Sequence, residues 1–178
     1  MSTLKHLSLI YYYLLVVAMI LMPRCQCEVL QPDDVKLIEQ TCKNTPLPNL
    51  CLQLLKPDPR SPSADVRGLA LIIVDVLKAR SKEGANKVNQ LLKSGGGDIK
   101  VLNFCAEVYK LLLTANVPVA INALELGDPK FAENAVSDAA LEVMNCEDDF
   151  HGKSPLTKEN TGTHDVSNVA RAIIRNLL

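Results

Sequence analysis

Apolar residues recur at helical spacing along nearly all of the chain beyond residue 33, and no stretch alternates as a half-buried strand would. Val35, Leu37 and Ile38 lead up to Cys42; after the turn Thr45-Pro46-Leu47-Pro48, a second short stripe carries Leu50, Cys51, Leu54 and Leu55. Together they predict a small helical hairpin over residues 33–56. Lys56-Pro57-Asp58-Pro59-Arg60-Ser61-Pro62 is too rich in proline for a helix interior and predicts a linker.

Four longer patterns follow. The first is expected to open near Ser61 or Ser63, residues of a capping type, and carries Leu69, Ile72, Ile73, Val76, Leu77, Val88, Leu91 and Leu92. Gly84 weakens its middle, and Gly95-Gly96-Gly97 ends it. Asp98 can cap the second, whose stripe is Ile99, Leu102, Cys105, Val108, Tyr109, Leu112 and Leu113; Pro118 should kink or break it before Val119–Leu126. The third begins at Asp128-Pro129, a cap followed by Pro at the first position, and should bury Ala132, Ala135, Val136, Ala139, Val143 and Met144. A loop over roughly 151–160 separates it from the last, which carries Val166, Val169, Ala170, Ile173, Ile174 and Leu177. Four amphipathic helices joined by short loops predict an all-α, up-down-up-down four-helix bundle over residues 63–178, preceded by the hairpin and linker over 28–62.

The N-terminus breaks this pattern. Leu7 to Met22 is a nearly unbroken apolar run of 16 residues, after Lys5 and His6 and before Pro23-Arg24. A membrane span needs about 20 such residues. The run, its basic start and the small residues of Cys25-Gln26-Cys27 match a secretory signal peptide over residues 1–27, cleaved after Cys27. Pro23 and Arg24 fit a bacterial lipoprotein signal poorly. No membrane association is expected after cleavage.

Composition then limits what the remaining chain can do. It loses two of the 19 basic residues and none of the 20 acidic ones, so its net charge is −3. Nothing supplies the basic surface that nucleic-acid binding requires. Its aromatics are Phe104, Tyr109, Phe131 and Phe150, too few for a cleft that stacks sugars. No Asn is followed at the second position by Ser or Thr, so glycosylation acceptors are absent.

Four cysteines stay with the secreted chain, and three pairings are open to them. The local-first one joins Cys42 to Cys51 across the hairpin turn and Cys105 to Cys146 between the second and third long helices. By chain entropy the two bonds are worth roughly 2.7 and 3.9 kcal/mol. A zinc site is the weaker alternative, since the spacings match no zinc module and only His151 and His164 remain as further ligands.

Catalytic signatures are missing: there is no H-E-x-x-H, no G-x-S-x-G and no phosphate-cradling loop. His151 falls in a loop and His164 near a helix start, without an evident Ser or Cys partner, and both read as surface histidines. Glu147-Asp148-Asp149 is an acidic run at a helix end and reads as solvated charge. No cofactor is expected.

Gly127-Asp128-Pro129-Lys130-Phe131-Ala132-Glu133 stands apart. Lys130 lies in the first turn of a helix, the wrong sign for the helix dipole. Phe131 is one of four aromatics, and Pro129 stiffens the presentation. A rigid loop that shows a cation and an aromatic suits insertion into a partner's pocket. The competing reading tucks Phe131 into the bundle and leaves Lys130 solvated, and the residues alone do not separate the two.

These pieces resemble a known family. The motifs T-C-K-N-T-P…C at 41–51, L-A-L-I-I-V-D at 69–75, G-D-P-K-F-A-E at 127–133 and S-N-V-A-R-A-I-I-R-N-L-L at 167–178, with two further cysteines, resemble the plant invertase inhibitor / pectin methylesterase inhibitor family over the whole secreted chain. The Pro-Lys-Phe triplet and the C-terminal helix look like the invertase-inhibitor branch.

The resemblance implies a four-helix bundle with an N-terminal hairpin and two disulfides in the local-first pairing. It implies that the Pro-Lys-Phe loop enters the sucrose-cleaving pocket of an acid invertase (β-fructofuranosidase), with Pro129, Lys130 and Phe131 at the tip and Asp128 as a cap that fixes the loop. The chain would then be a secreted, non-enzymatic inhibitor forming a one-to-one complex in the apoplast or cell wall, or in the vacuole. The alternative partner is a pectin methylesterase, gripped by the outer helix faces, with the triplet incidental. An enzyme in its own right and a purely structural bundle are the remaining rivals. Turnover of sucrose or sugar esters would mark the first, and inertness toward both target enzymes the second.

Overall fold

The computed structural model describes residues 12–13 and 32–178; the signal-peptide assignment and its cleavage point lie outside the described residues. Helices α1 (Pro32–Lys43) and α2 (Pro48–Leu55) form the hairpin. Pro48 opens α2 at a position whose N–H would have no helical partner, and the Thr45 hydroxyl closes the turn by donating to the Cys42 carbonyl at 2.8 Å. Cys42 is bonded to Cys51, with both sulfurs buried.

The linker is tied down rather than loose. Arg60 donates to both carboxylate oxygens of Asp58, at 3.0 and 2.8 Å, and to Asp75 of the next helix at 2.6 Å. The hydrogen bonds from the Arg60 guanidinium hold the Asp58 carboxyl below its usual range. Helix α3 (Val66–Ser94) starts later than expected. Ser61–Ser63 forms a short 3-10 turn, with Ser61 buried, and neither serine caps α3. Asp65 does, its carboxylate accepting from the Gly68 N–H at 2.7 Å. Gly95, in the left-handed region at φ 68°, ends α3.

Asp98 caps α4 (Ile99–Leu111) by accepting from the N–H groups of Lys100 and Val101. Pro118 neither breaks nor sharply ends the helix. A π turn over Leu112–Asn116 carries α4 into α5 (Val117–Leu126), and the Val117 N–H reaches back five residues to the Leu112 carbonyl. The shifted register absorbs the hydrogen bond that Pro118 lacks the donor to make. By length and composition this rod, Ile99–Leu126, would pass for a membrane span, yet Leu102, Cys105, Val108, Tyr109 and Leu112 are buried in the bundle. Ile99, expected in the stripe, is exposed because it opens the helix at the bundle's edge.

Helices α6 (Pro129–Asp148) and α7 (Thr157–Arg175) complete the bundle. The expected loop is shorter than 151–160. Glu147 accepts hydrogen bonds from the Thr157 hydroxyl and the Asn160 amide, which seats the first turn of α7 against the end of α6. Burial works against the Glu147 charge, but these donors outweigh it and hold its carboxyl below the usual range. Of the expected α6 core residues, Met144 is only half buried. Each rod packs on the next and α7 closes back on α3, the neighbour relations of an up-down-up-down bundle. Among the described residues there is no strand. Cys105–Cys146 staples α4 to α6 inside the core, while the hairpin leans on α3 and α7 and adds Ile38, Cys42, Cys51 and Leu55 to the same core.

One residue read as a weakness is a requirement of the packing. Gly84 faces the buried ring of Tyr109, and a Cβ built on it would stand 2.1 Å from two ring carbons. The Tyr109 hydroxyl donates to Asn160 Oδ1 at 2.7 Å, and burial pushes that phenol's pKa well up.

The two disulfides predict different responses to reductant. Cys42–Cys51 closes 9 residues in an element with little core of its own, whereas Cys105–Cys146 closes 41 residues inside the bundle. Replacing both Cys42 and Cys51 by Ala is expected to raise amide exchange across residues 36–55 first and leave α3–α7 protected. A uniform rise over the whole chain would contradict this.

Candidate functional site

The candidate site is the connection between α5 and α6, which is only two residues long. Gly127 adopts φ 79° and Asp128 follows it. The Gly127 N–H donates to the Leu124 carbonyl at 3.3 Å and the Asp128 N–H to the Ala123 carbonyl at 2.8 Å. This is a Schellman closure, in which backbone groups satisfy the last carbonyls of α5. Pro129 then starts α6 with its φ already set.

Asp128 does not cap α6 with its side chain, contrary to expectation. Its backbone, at φ −112° and ψ 73°, lies outside the extended region from which the Asp65 (ψ 180°) and Asp98 (ψ 113°) carboxylates reach forward to helix N–H groups. What fixes the connection is the Asp128 N–H, not the carboxylate.

Phe131 is 62% exposed, so the reading that hides it in the core is excluded. Leu126, 76% exposed, stands on the other side of the turn. The tip therefore presents two large apolar side chains at a place where the backbone is tightly held. Pro129 is half buried over a small recess lined by Arg67, Leu124 and Leu177.

Lys130 is solvated but not idle. Its Nζ lies 2.6 Å from Glu133 Oε2, one turn along α6, and the other Glu133 oxygen lies 3.6 Å from Arg175 Nε on α7. The Glu133 side chain is 12% exposed, whereas those of Lys130 and Arg175 are 62% and 65% exposed. The hydrogen bond from Lys130 holds the Glu133 carboxyl below the ordinary value of 4.5, with Arg175 and Arg171 adding to the effect. A largely covered carboxylate thus anchors the exposed ammonium and is itself anchored from the last helix. The i, i+3 spacing of Lys130 and Glu133 was readable in the sequence; the approach of Arg175, 42 residues further on, was not.

This arrangement sets a pH dependence. Because the folded-state pKa of Glu133 is depressed, its contribution to stability is present above the unfolded value and is lost as pH falls through the folded one. Glu133→Gln is expected to be less stable than the unsubstituted chain near pH 7, with the gap closing as pH drops below about 4.5. Urea unfolding at several pH values measures it; a gap that does not change with pH would refute the pairing.

The other candidates fall elsewhere. His151 is exposed with φ 52° in the turn after α6. His164 is the eighth residue of α7, two turns in from its start, beside Asp165 and Asn168. Glu147 of the acidic run is engaged with α7, as above. No group of three His, Cys, Asp or Glu among the described residues could hold a metal ion.

Residues 36–177 match the family described as plant invertase/pectin methylesterase inhibitor. The Arabidopsis thaliana protein "Cell wall / vacuolar inhibitor of fructosidase 1" is 45% identical over 137 residues, 77% of this chain and 67% of that protein. A second inhibitor of fructosidase from the same plant is 35% identical over 63% of this chain and 59% of its own length. The "Pectinesterase inhibitor" of Actinidia deliciosa is 30% identical over 82% of this chain and 78% of its own. A mutant form of a pectin methylesterase inhibitor from Arabidopsis shares the fold with a TM-score of 0.67 at 22% identity, over 78% of this chain and 95% of that one.

Proposed function

From the premise that the chain belongs to the plant invertase/pectin methylesterase inhibitor family, whose members here are inhibitors and not catalysts, we propose that it inhibits a plant acid invertase. It does so by placing Pro129, Lys130 and Phe131 in the enzyme's sucrose-binding pocket as a one-to-one complex. The observation that carries this reading is the exposure of Phe131 and Lys130 on a connection fixed by backbone hydrogen bonds. Little conformational entropy remains to be lost there on docking. The higher identity to the inhibitors of fructosidase than to the pectinesterase inhibitor supports the choice of target.

The chemistry fits a pocket of this kind. Glycosidases of this sort act through paired carboxylates, and an ammonium pairs well with carboxylates in a cleft partly cleared of water. Phe131 fills space that a sugar would occupy, so substrate is excluded without any bond being made or broken. The relatives' names support the cell wall or the vacuole as the place of action, reached through the secretory signal read over residues 1–27.

The test is a mixing assay at mildly acidic pH with the secreted form, disulfides intact. Titration into an acid invertase is expected to abolish sucrose hydrolysis, while the same titration leaves a plant pectin methylesterase active. Loss of pectin demethylation alone would overturn the choice of target and favour the second reading, which the relative at 30% identity supports.

A further inference from the structure

We propose that the groove beside Phe131 is a second contact surface for the same enzyme and takes an arginine or lysine side chain from its surface. This rests on the docking proposed above. The groove encloses about 380 Å³ between the π turn and α6. Leu111, Val119 and Phe131 wall it, 42, 46 and 62% exposed. It is therefore continuous with the tip, since Phe131 belongs to both.

Its α6 side carries charge. Asp138 and Glu142 line the groove one helical turn apart, a spacing at which like charges disfavour the helix. Among the described residues neither takes part in an ion pair, whereas Glu133 on the same helix pairs with both Lys130 and Arg175. Asn116, placed under the groove by the π turn, donates its amide to the Ala135 carbonyl at 3.2 Å and leaves its own oxygen without a donor.

These features select one occupant. Apolar walls favour methylenes, and two unpaired carboxylates favour a cation. Lysine and arginine join the two, burying the stem and leaving the charged head at the rim. A purely apolar side chain would cover both carboxylates without pairing them, which is costly. A bare cation would make no use of the walls.

The test uses the secreted chain, disulfides intact, with the paired substitutions Asp138→Asn and Glu142→Gln. Inhibition of a plant acid invertase is measured at one pH, in low salt and at physiological ionic strength. The charge-neutral variant is expected to inhibit about tenfold less well in low salt and to lose most of the salt dependence of the unsubstituted protein. Its melting temperature should be unchanged or slightly higher, because a like-charge pair has been removed. A companion Leu111→Ala, Val119→Ala variant should weaken inhibition similarly at both salt concentrations. Unsubstituted potency and salt dependence in the charge-neutral variant, with Phe131→Ala still impaired, would overturn the groove and leave the loop reading standing. Self-association that disappears in the charge-neutral variant, with inhibition intact, would overturn it in favour of a second copy of this chain. If the unsubstituted protein inhibits no invertase, the docking itself fails, and that outcome is visible before any variant is compared.

Discussion

Phe131→Ala and Lys130→Ala are each expected to weaken inhibition of an acid invertase by at least about 2 kcal/mol, roughly thirtyfold. Phe131 would lose the ring that fills the sugar's place. Lys130 would lose the charge that pairs with the enzyme's carboxylates and would also release Glu133 from its hydrogen bond. Neither change should cost the fold much. Both side chains are well exposed, and surface substitutions usually move stability by no more than about 0.5 kcal/mol. Inhibition constants and melting curves on the same samples separate the two effects. Full potency in both variants would remove the loop from the binding surface while leaving the bundle as described.

Gly84→Ala is expected to have the largest effect on stability, and of a sign opposite to helix propensity. In an exposed helix interior the change would gain up to about 1 kcal/mol. Here the added methyl would meet the Tyr109 ring at 2.1 Å and its hydroxyl at 2.6 Å. Tyr109 has no room to retreat: it is fully buried, and its hydroxyl is bound to Asn160, whose amide in turn reaches Glu147 and the Cys146 sulfur. Overpacking of this kind costs about 1–3 kcal/mol, and a lost buried hydrogen bond adds about 1–3 kcal/mol. A net loss of about 3 kcal/mol should lower the melting temperature by roughly 6–12 °C in a domain of this size. An unchanged or raised melting temperature would mean that α3 and α4 can separate at no cost.

The contrast between these two positions shows what the sequence could and could not disclose. Stripes at helical spacing gave the four rods because burial follows that period, and Leu69, Ile73, Leu77, Val136, Val143, Val169 and Ile173 are all buried where the pattern puts them. Asp98 and the Gly95 stop were legible because caps act within a few residues. Gly84 was misread because its role belongs to Tyr109, on another helix. Asp65 went unnoticed because Ser61 and Ser63 offered the same chemistry a few residues earlier, and only the backbone angles decide among them. Pro118 was noticed, but whether a helix breaks or slips into a π turn depends on the packing around it. At the candidate site, the sequence singled out Pro129, Lys130 and Phe131 and suggested a side-chain cap at Asp128. The backbone closure and the support from Arg175 appear only when α5, α6 and α7 are seen together.

That backbone closure separates what is displayed from what holds the display. The bonds that set the turn come from the main chain of residues 123, 124, 127 and 128, and none of them uses the side chains at 130 or 131. The tip therefore works like an interchangeable bit in a fixed handle. On the docking proposed above, residue 131 can be rewritten to suit a differently shaped cleft without redesigning the shaft, while a change at 130 also calls for a new partner for Glu133.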